Sequence, residues 1–411
     1  MDNLTFEERP GYHNLCKVLA GGPLHWEAPG QERGWLATAE RQGVAPLLYW
    51  HFHHGTWPGS LSAQGREGLT RLYYNSLAQN SLLMAELNHL LDLFAQADIP
   101  VMVLKGGALA DGYYDDIGLR PMGDLDLLIP EAKMEPACTL IRALGYQPAH
   151  EEIAPGILRQ VAHHISWRGG PGGRLGVELH WHLIAGPADD RTVSVDWFWK
   201  QIDAVPGRTA VLHGKPIPQL HPTAHLLYLA AHLSLRHGGN RERLVWFYDA
   251  DRLIRSGRVD WPAFERQAHA LRWGAVARFL LEGAGVYFAT PLPPGVLERL
   301  AQGLVWQRFL GERQAKIGHL TRTVLTWQGL RHLPWPLRLR WLVALVFPSR
   351  DYLFWRYHPQ PAWTWPLYYG YRWWDIAHDW AEIVFSVTPT RLSPTRLGPT
   401  GGRHGVEQKN G

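Results

Sequence analysis

The spacing of apolar positions changes along the chain and divides it into regions. Leucines recur at helical spacing between residues 69 and 97, which predicts a long amphipathic helix. Short apolar runs bounded by glycine or proline between about 96 and 205 predict strands. Helical spacing returns beyond Pro216, including residues 243–254. We therefore expect an α+β fold, with helical regions at 1–95 and 206–385 around a core at 96–205, followed by a disordered tail at 386–411.

The pattern at the start of the predicted core is a strand, a glycine pair and a helix. Residues 99–104 form an apolar run, Lys105-Gly106-Gly107 interrupts it, and residues 108–114 have helical character. Adjacent glycines allow a sharp turn and a close approach of the backbone to a ligand. Free N–H groups at a helix start can hold phosphate oxygens, and Lys105 would add a positive charge. This pattern predicts a phosphate site.

A pair of aspartates follows in the next predicted strand, at residues 123–130. Asp124 and Asp126 share a face of this strand, because side chains alternate with a period of two. Two carboxylates on one face repel each other unless a cation lies between them. Magnesium prefers hard oxygen ligands and is commonly held by one or two carboxylates together with substrate phosphates. The pair therefore predicts a magnesium site.

A third acid is available in a later predicted strand. Glu178, His180 and His182 alternate along residues 174–182, directly after a glycine-rich turn. Residues 164–168 before the turn are the expected hairpin partner of this strand. A His-x-His pair also suggests zinc, although without further clustered ligands the signal is weak. We interpret His180 as a polar neighbour of the carboxylates and His182 as a structural or edge residue.

These motifs together resemble a known family. Their order along the chain is Leu104-Lys-Gly-Gly, Arg120, Asp124-x-Asp126-Leu-Leu and Glu178-Leu-His180-Trp181. This combination resembles the bacterial group of uncharacterised nucleotidyltransferases within the DNA polymerase beta-like superfamily, and a weaker similarity extends over about residues 35–375. The resemblance implies a polymerase beta-like core, a mixed sheet with helices packed on it, between N- and C-terminal helical regions.

The resemblance also implies a reaction and a set of functional residues. The reaction moves a nucleoside monophosphate from an NTP, with ATP as the expected donor, to an acceptor, and it releases pyrophosphate with the help of two magnesium ions. The expected acceptor is a small molecule, a peptide or a sugar. The implied metal ligands are Asp124, Asp126 and Glu178, and the implied nucleotide-binding residues are Lys105, Gly106, Gly107, Arg120 and His180. The third acid is most often aspartate in the superfamily and is glutamate in this chain.

Other interpretations remain open on the sequence. A catalytically inactive nucleotide-binding or scaffold protein would keep the same fold, and a zinc hydrolase would use His180 and His182. His163 and His164 are expected at a strand end or on the surface. His232 and Asp249 are expected to meet between two helices, either as a packing bond or as a contact to the nucleotide or acceptor.

The composition of the chain restricts which partners and which cellular compartment we expect. The formal net charge is +4, but Arg391, Arg396, Arg403 and Lys409 against Glu407 place +3 of it in the tail. A nearly neutral body argues against stable nucleic-acid binding. Two cysteines and a start without a secretory pattern indicate the cytoplasm. The sequence does not define the oligomeric state.

The segment 334–380 is unusually rich in aromatic residues and arginine. Such a segment is typical either of a helical core layer or of a helix that lies on a membrane surface, with aromatic rings at the headgroup level and arginines against anionic lipid. We therefore keep a weak membrane-surface contact through 334–380 as a hypothesis.

Overall fold

The computed structural model describes residues 12–26, 30–150, 153–154, 156, 162–173, 175–184, 195–206, 215–236, 243–301 and 334–386. The predicted tail lies outside these residues, except for Ser386. The helices are α1 (Tyr12–Leu19), α2 (Gln31–Arg41), α3 (Ala45–His54), α4 (Ala63–Gln96), α5 (Lys105–Tyr113), α6 (Met134–Ala143), α7 (Asp196–Trp199), α8 (Pro222–Ala231), α9 (Leu244–Arg255), α10 (Trp261–Ala270), α11 (Gly274–Phe288), α12 (Val296–Ala301), α13 (Trp335–Val346), α14 (Arg350–Tyr357) and α15 (Tyr368–Ser386). The strands are β1 (Met102–Leu104), β2 (Asp124–Leu128), β3 (Gln147–Pro148), β4 (His164–Gly169), β5 (Leu175–His180), β6 (Ile202–Pro206) and β7 (Pro216–Leu220).

The seven strands form one mixed sheet in the order β3-β4-β5-β2-β1-β7-β6. The pairs β2–β5 and β1–β7 are parallel, and the other neighbouring pairs are antiparallel. The predicted α+β class with a mixed sheet is confirmed. The predicted hairpin between residues 164–168 and 174–182 is also present, as β4 paired with β5.

The sheet extends further along the chain than the sequence pattern indicated. Strand β7 (Pro216–Leu220) lies between β1 and β6, so the expected core boundary at 205 falls inside the sheet. The helical pattern predicted beyond Pro216 begins only with α8. The sequence pattern did not predict this strand because it contains two prolines. Proline cannot donate a hydrogen bond to the neighbouring strand and is uncommon inside strands. Its buried Ile217 and Leu220 pack into the two cores on either side of the sheet.

One face of the sheet is covered by α4 and α6. Val103, Leu125 and Leu127 point to this face and share a core with Leu87 and Ile141 from the two helices. Helix α4 carries the apolar stripe that the leucine spacing predicted, and it begins earlier than expected. The Ser62 side chain accepts a hydrogen bond from the Gly65 N–H and caps the helix start.

The opposite face is covered jointly by helices from both ends of the chain. Leu104 and Leu128 of the sheet share one buried core with Leu48 from α3, Tyr228 from α8 and Leu280 from α11. The N- and C-terminal helical regions therefore pack on each other as well as on the sheet. Helices α13 to α15 follow this body along the chain, and none of the helices in the described residues is long and apolar enough to cross a membrane.

Candidate active site

The three predicted acids lie on one face of the sheet, on two neighbouring strands. Strands β2 and β5 are parallel, with Asp126 directly opposite Glu178 and Asp124 opposite Gly176. Residues paired across adjacent strands point to the same face, so the carboxylates of Asp126 and Glu178 stand side by side. A Cβ atom at Gly176 would lie 3.1 Å from the Cβ of Asp124, so glycine leaves room beside the first aspartate.

Asp126 is buried at the centre of this group, with 5% of its surface exposed. Its Oδ1 accepts a hydrogen bond of 2.6 Å from the Lys105 ammonium and lies 3.0 Å from Nε2 of His180. Burial alone would raise the pKa of Asp126, but the Lys105 charge and the His180 contact outweigh it and hold the pKa well below its ordinary value. Asp126 is therefore ionised.

Glu178 is held by three side chains that come from the same hairpin. Ser166 donates a hydrogen bond of 3.1 Å to Oε1, and Nε2 of His164 lies 3.5 Å from the same oxygen. Nε2 of His180 lies 3.3 Å from Oε2. Burial would raise the pKa of Glu178, yet the hydrogen bond from His180 and the neighbouring histidines lower it to about 2. The third acid is thus both oriented and ionised.

His180 joins the two inner carboxylates. Its Nε2 faces both Asp126 and Glu178, which fits a ring that carries its proton on that nitrogen. Only 1% of the residue is exposed, and within the described part of the chain its Nδ1 has no hydrogen-bond partner. The ring of His164 stacks on it at a centroid distance of 4.9 Å. His180 is therefore a neighbour of the carboxylates, as the strand alternation predicted.

His164 and Ser166 were missed as candidate site residues in the sequence. His163 and His164 were expected at a strand end or on the surface, and His164 is indeed the first residue of β4, but it is half-buried against Glu178 and His163 is buried. The register of the hairpin contains the missing signal, because it places His164 opposite His180 and Ser166 opposite Glu178. Extending the predicted hairpin residue by residue would have found both.

Asp124 stands at the solvent-facing start of β2 and makes the site more negative. Loss of solvation, followed by the nearby charges of Asp126 and Glu178, raises the pKa of Asp124 to about 6. Lys105 and His180 act in the opposite direction but do not cancel the effect. An ion pair with Lys105 therefore leaves the three carboxylates with an excess of negative charge.

Lys105 and the two glycines occupy a sharper junction than the predicted loop. Helix α5 begins at Lys105 itself, immediately after β1, and Lys105 takes the positive φ of 45° that makes the turn possible. The glycines allow close packing, because a Cβ at Gly106 would lie 2.6 Å from Arg120 Nη1 and one at Gly107 would lie 3.0 Å from Val103 Cγ1. Their contact with a triphosphate stays a prediction. No side chain caps the first turn of α5.

Arg120 lies in a separate buried ion pair, on the other side of Gly106. Its Nε and Nη2 each donate a hydrogen bond of 2.8 Å to the carboxylate of Asp249 on α9, and the Tyr114 hydroxyl donates a further one of 2.6 Å. The hydrogen bonds to Asp249 thus come from Arg120 and Tyr114, and the expected contact of Asp249 with His232 stays a prediction. The guanidinium faces this carboxylate, and its expected contact with a triphosphate stays a prediction.

The donor atoms of the site suit a hard divalent cation. In the part of the chain that the structure describes, Asp126, Glu178 and His180 each offer a ligand atom within 4.8 Å of the others, and His163, His164 and His180 form a second such group. Neither group includes His182, so these groups do not support the alternative of a zinc hydrolase that uses His180 and His182. Ionised carboxylates in register, with Asp124 beside them, fit magnesium.

The chain belongs to the uncharacterised nucleotidyltransferase family, whose sequence model matches residues 30–289. The matched region includes the whole sheet and the acids described above. It ends before α13, so the aromatic segment lies outside it.

No curated protein matches the chain. Among solved structures, the chain is similar to an antigenic nucleotidyltransferase-like protein from Paracoccidioides brasiliensis, at 12% sequence identity and a TM-score of 0.35, over 53% of this chain and 96% of that one.

Proposed function

We propose that this protein transfers a nucleoside monophosphate from an NTP, with ATP as the expected donor, to an acceptor. The acceptor oxygen would form a bond to the α-phosphorus and give up its proton, while the bond from that phosphorus to the bridging oxygen breaks and pyrophosphate leaves. The observation that carries the proposal is the face shared by Asp124, Asp126 and Glu178 on neighbouring strands. Membership of the nucleotidyltransferase family supports it.

The roles of the acids follow from their positions. Asp124, Asp126 and Glu178 would hold two magnesium ions, which supply charge stabilisation to the attacking and leaving oxygens of an in-line displacement. Ser166, His164 and His180 would fix the carboxylate of Glu178, which compensates for the longer side chain that stands in place of the more usual aspartate.

Lys105 and the start of α5 would bind the triphosphate. The first N–H groups of a helix have no partner within it, and here no side chain caps them, so they are available for phosphate oxygens. The Lys105 ammonium now pairs with the Asp126 carboxylate. If a cation bound that carboxylate, Lys105 would be free to pair with a phosphate oxygen of the NTP. Gly106 and Gly107 allow the helix to begin this close to the strand ends.

The acceptor and compartment form the less constrained part of the proposal. The nearly neutral body supports a small molecule, a peptide or a sugar over a long polyanion. Cys16 and Cys138 are both buried reduced thiols, and burial raises the pKa of Cys16 to about 12, which suits a structural role in a cytoplasmic protein.

A catalytically inactive nucleotide-binding protein is the second candidate function. One observation favours it: the Lys105 ammonium lies 2.6 Å from the Asp126 oxygen that a metal would need. If that ion pair persists in the presence of magnesium, NTP would bind without turnover.

Label transfer separates the two candidates. The full-length chain is incubated with magnesium, each of four NTPs labelled at the α-phosphate, and fractionated cell extract as the source of acceptor. We expect one NTP to label an acceptor fraction and to release pyrophosphate. The variant Asp126→Asn should reduce the rate by at least about 100-fold, because a bound metal contributes several kcal/mol to such reactions.

The matched control is Asp92→Asn, which removes an exposed carboxylate that pairs with Lys215 on the surface. This variant should label at the wild-type rate. The enzyme proposal fails if wild type and Asp126→Asn label equally. If NTP binds by equilibrium dialysis but no fraction is labelled, the inactive candidate replaces it.

A further inference from the structure

Helix α13 exposes an apolar stripe to solvent along its whole length. The side chains recur every fourth residue and therefore lie on one face of the helix. Their exposed fractions are 71% for Trp335, 51% for Leu339, 52% for Val343 and 55% for Phe347, which directly follows the helix. The opposite face of α13 carries Trp341 and Ala344, which are buried. The exposed stripe is therefore a second apolar face, not a frayed part of the core.

The stripe continues onto α15 through an aromatic contact. The rings of Phe347 and Trp373 meet edge to face at a centroid distance of 5.7 Å, and the Trp373 indole donates a hydrogen bond to the Val346 carbonyl. Trp373 itself is 46% exposed. We call these five residues the apolar stripe: Trp335, Leu339, Val343, Phe347 and Trp373. Large exposed patches of this kind mark interaction sites on soluble proteins.

Positive charge borders the stripe on α13. Arg338 and Arg340 are both exposed, and the helical period of 3.6 residues places them at opposite edges of the row formed by Trp335, Leu339 and Val343. Residues 334–380 contain five arginines and three aspartates, so the segment keeps an excess of positive charge. An apolar face with tryptophans and with basic residues along its edges matches the interface of an anionic bilayer, where rings sit among the headgroups and arginines reach the phosphates.

We propose that the apolar stripe docks this protein on the surface of an anionic membrane. The stripe lies in the plane of the interface and does not cross the bilayer, in agreement with the absence of a spanning helix among the described residues. The proposal goes beyond nucleotidyl transfer, because the stripe lies outside the matched family region and contains none of the proposed site residues.

Vesicle flotation of the full-length protein tests this proposal. Vesicles of phosphatidylcholine alone are compared with vesicles of equal parts phosphatidylcholine and phosphatidylglycerol. We expect the protein to float with the anionic vesicles and to be released at high salt, because screening weakens the arginine contribution. The variant Leu339→Ser combined with Val343→Ser should reduce the bound fraction about tenfold, since two apolar side chains leave the lipid.

The matched control is Leu82→Ser on α4, because Leu82 has the same chemistry and is 50% exposed. It should float like wild type. The variants Arg338→Gln and Arg340→Gln should each lower anionic binding about fivefold. All variants alter exposed residues and should keep the wild-type unfolding curve.

Three outcomes overturn the proposal. The protein does not float with anionic vesicles, or the stripe variant floats as well as wild type. In the third outcome, the protein does not bind vesicles, and light scattering shows a concentration-dependent dimer that the stripe variant does not form. The partner of the apolar stripe would then be a second copy of the chain. Nucleotidyl transfer to a soluble acceptor should be the same in wild type and in the stripe variant, so the result does not depend on the proposed reaction.

Discussion

Asp126 and Asp249 are each buried beside a cation, and they differ in how completely their charge is matched. Asp249 has no exposed surface, and the fork of Arg120 together with the Tyr114 hydroxyl satisfies both of its oxygens. Asp126 shares one lysine and one histidine with two further carboxylates nearby. The Arg120–Asp249 pair is therefore electrostatically closed, whereas the Lys105 and Asp126 group has an excess of negative charge that a cation would neutralise.

This difference in charge balance distinguishes a structural ion pair from a candidate binding site, although both contain a buried carboxylate and a basic side chain. A bidentate arginine pair fixes geometry and has little capacity for another ligand. A lysine beside several carboxylates holds them together and can be displaced, since a lysine is a flexible point charge. Gly106 lies between the Lys105 group and the Arg120–Asp249 pair. It follows Lys105 in the chain, and a side chain at this position would contact Arg120. Substitutions at each position test whether one group is closed and the other open.

The largest effect is expected from Arg120→Met, which removes the arginine from the buried carboxyl group of Asp249 and leaves the hydrogen bond from Tyr114. Removing one partner of a buried pair costs about 3–5 kcal/mol of the free energy of unfolding. Urea denaturation measures it. The double variant Arg120→Met and Asp249→Leu should recover most of the loss, and magnesium should recover none. A single variant that is as stable as wild type would contradict a closed pair.

Lys105→Met makes the same substitution in the open group, with a smaller expected loss. Asp126 keeps its contact with His180, so the cost should be about 2 kcal/mol, within the range for a buried group that loses one hydrogen-bond partner. Magnesium should restore most of this stability, because a cation can take the place of the ammonium. Stability that does not respond to magnesium would argue that the carboxylates do not hold a metal.

Gly106→Ala tests the contact between the two groups. The added methyl group would meet Arg120 Nη1 and the Met122 side chain, both closer than 3.0 Å. We expect a loss of about 1–2 kcal/mol in urea denaturation, because overpacking displaces the guanidinium from Asp249. Gly34→Ala is the control, since nothing lies within 4 Å of a Cβ there and alanine favours its helix. Equal effects at the two glycines would remove the proposed contact.

The smallest effect is a change of stability with pH that originates at Asp124. Its pKa is raised from an ordinary 3.8 to about 6, so the folded state binds more protons than the unfolded state between these values. The contribution of Asp124 to stability therefore falls as the pH rises from about 4 to about 6 and stays lower above that. Because the residue is solvent-facing, the change should be less than about 1 kcal/mol.

Urea midpoints measured across this pH range without a divalent cation would detect the effect as a difference between wild type and Asp124→Asn. The variant should lack the fall. Glu178 acts in the opposite sense and lower on the scale, because its pKa is lowered to about 2, so its contribution is lost only as the pH falls through that value. A difference between wild type and variant that rises with pH would contradict the assigned direction.

The acids of the site could be predicted because they obey strand alternation. Asp124, Asp126 and Glu178 follow the period of two, and the parallel pairing of β2 with β5 then brings them to one face. The position of the turn was predicted correctly, although Lys105 makes it, and the glycines permit close packing. Local sequence rules thus predicted where the acids and the turn lie better than they predicted which residue makes the turn.

Long-range partners could not be read from local patterns. Arg120 and Asp249 are far apart in sequence, and only the packing of α9 against the loop before β2 brings them together. Strand β7 could not be predicted for a related reason. It contains two prolines and a buried Gln219, so its sequence does not show the usual alternation of apolar and polar residues. Its pairing with β1 depends on the rest of the sheet.

The core shared by the two ends of the chain has a consequence for folding during synthesis. Leu48 emerges from the ribosome long before Tyr228 and Leu280, with which it shares a buried cluster. Until α8 to α11 are made, the apolar faces of α1 to α3 are covered only in part, by α4 and the sheet, and contacts this distant in sequence form slowly. A nascent chain halted after the sheet should therefore be a substrate for chaperones and proteases, even though it already contains every acid of the candidate site.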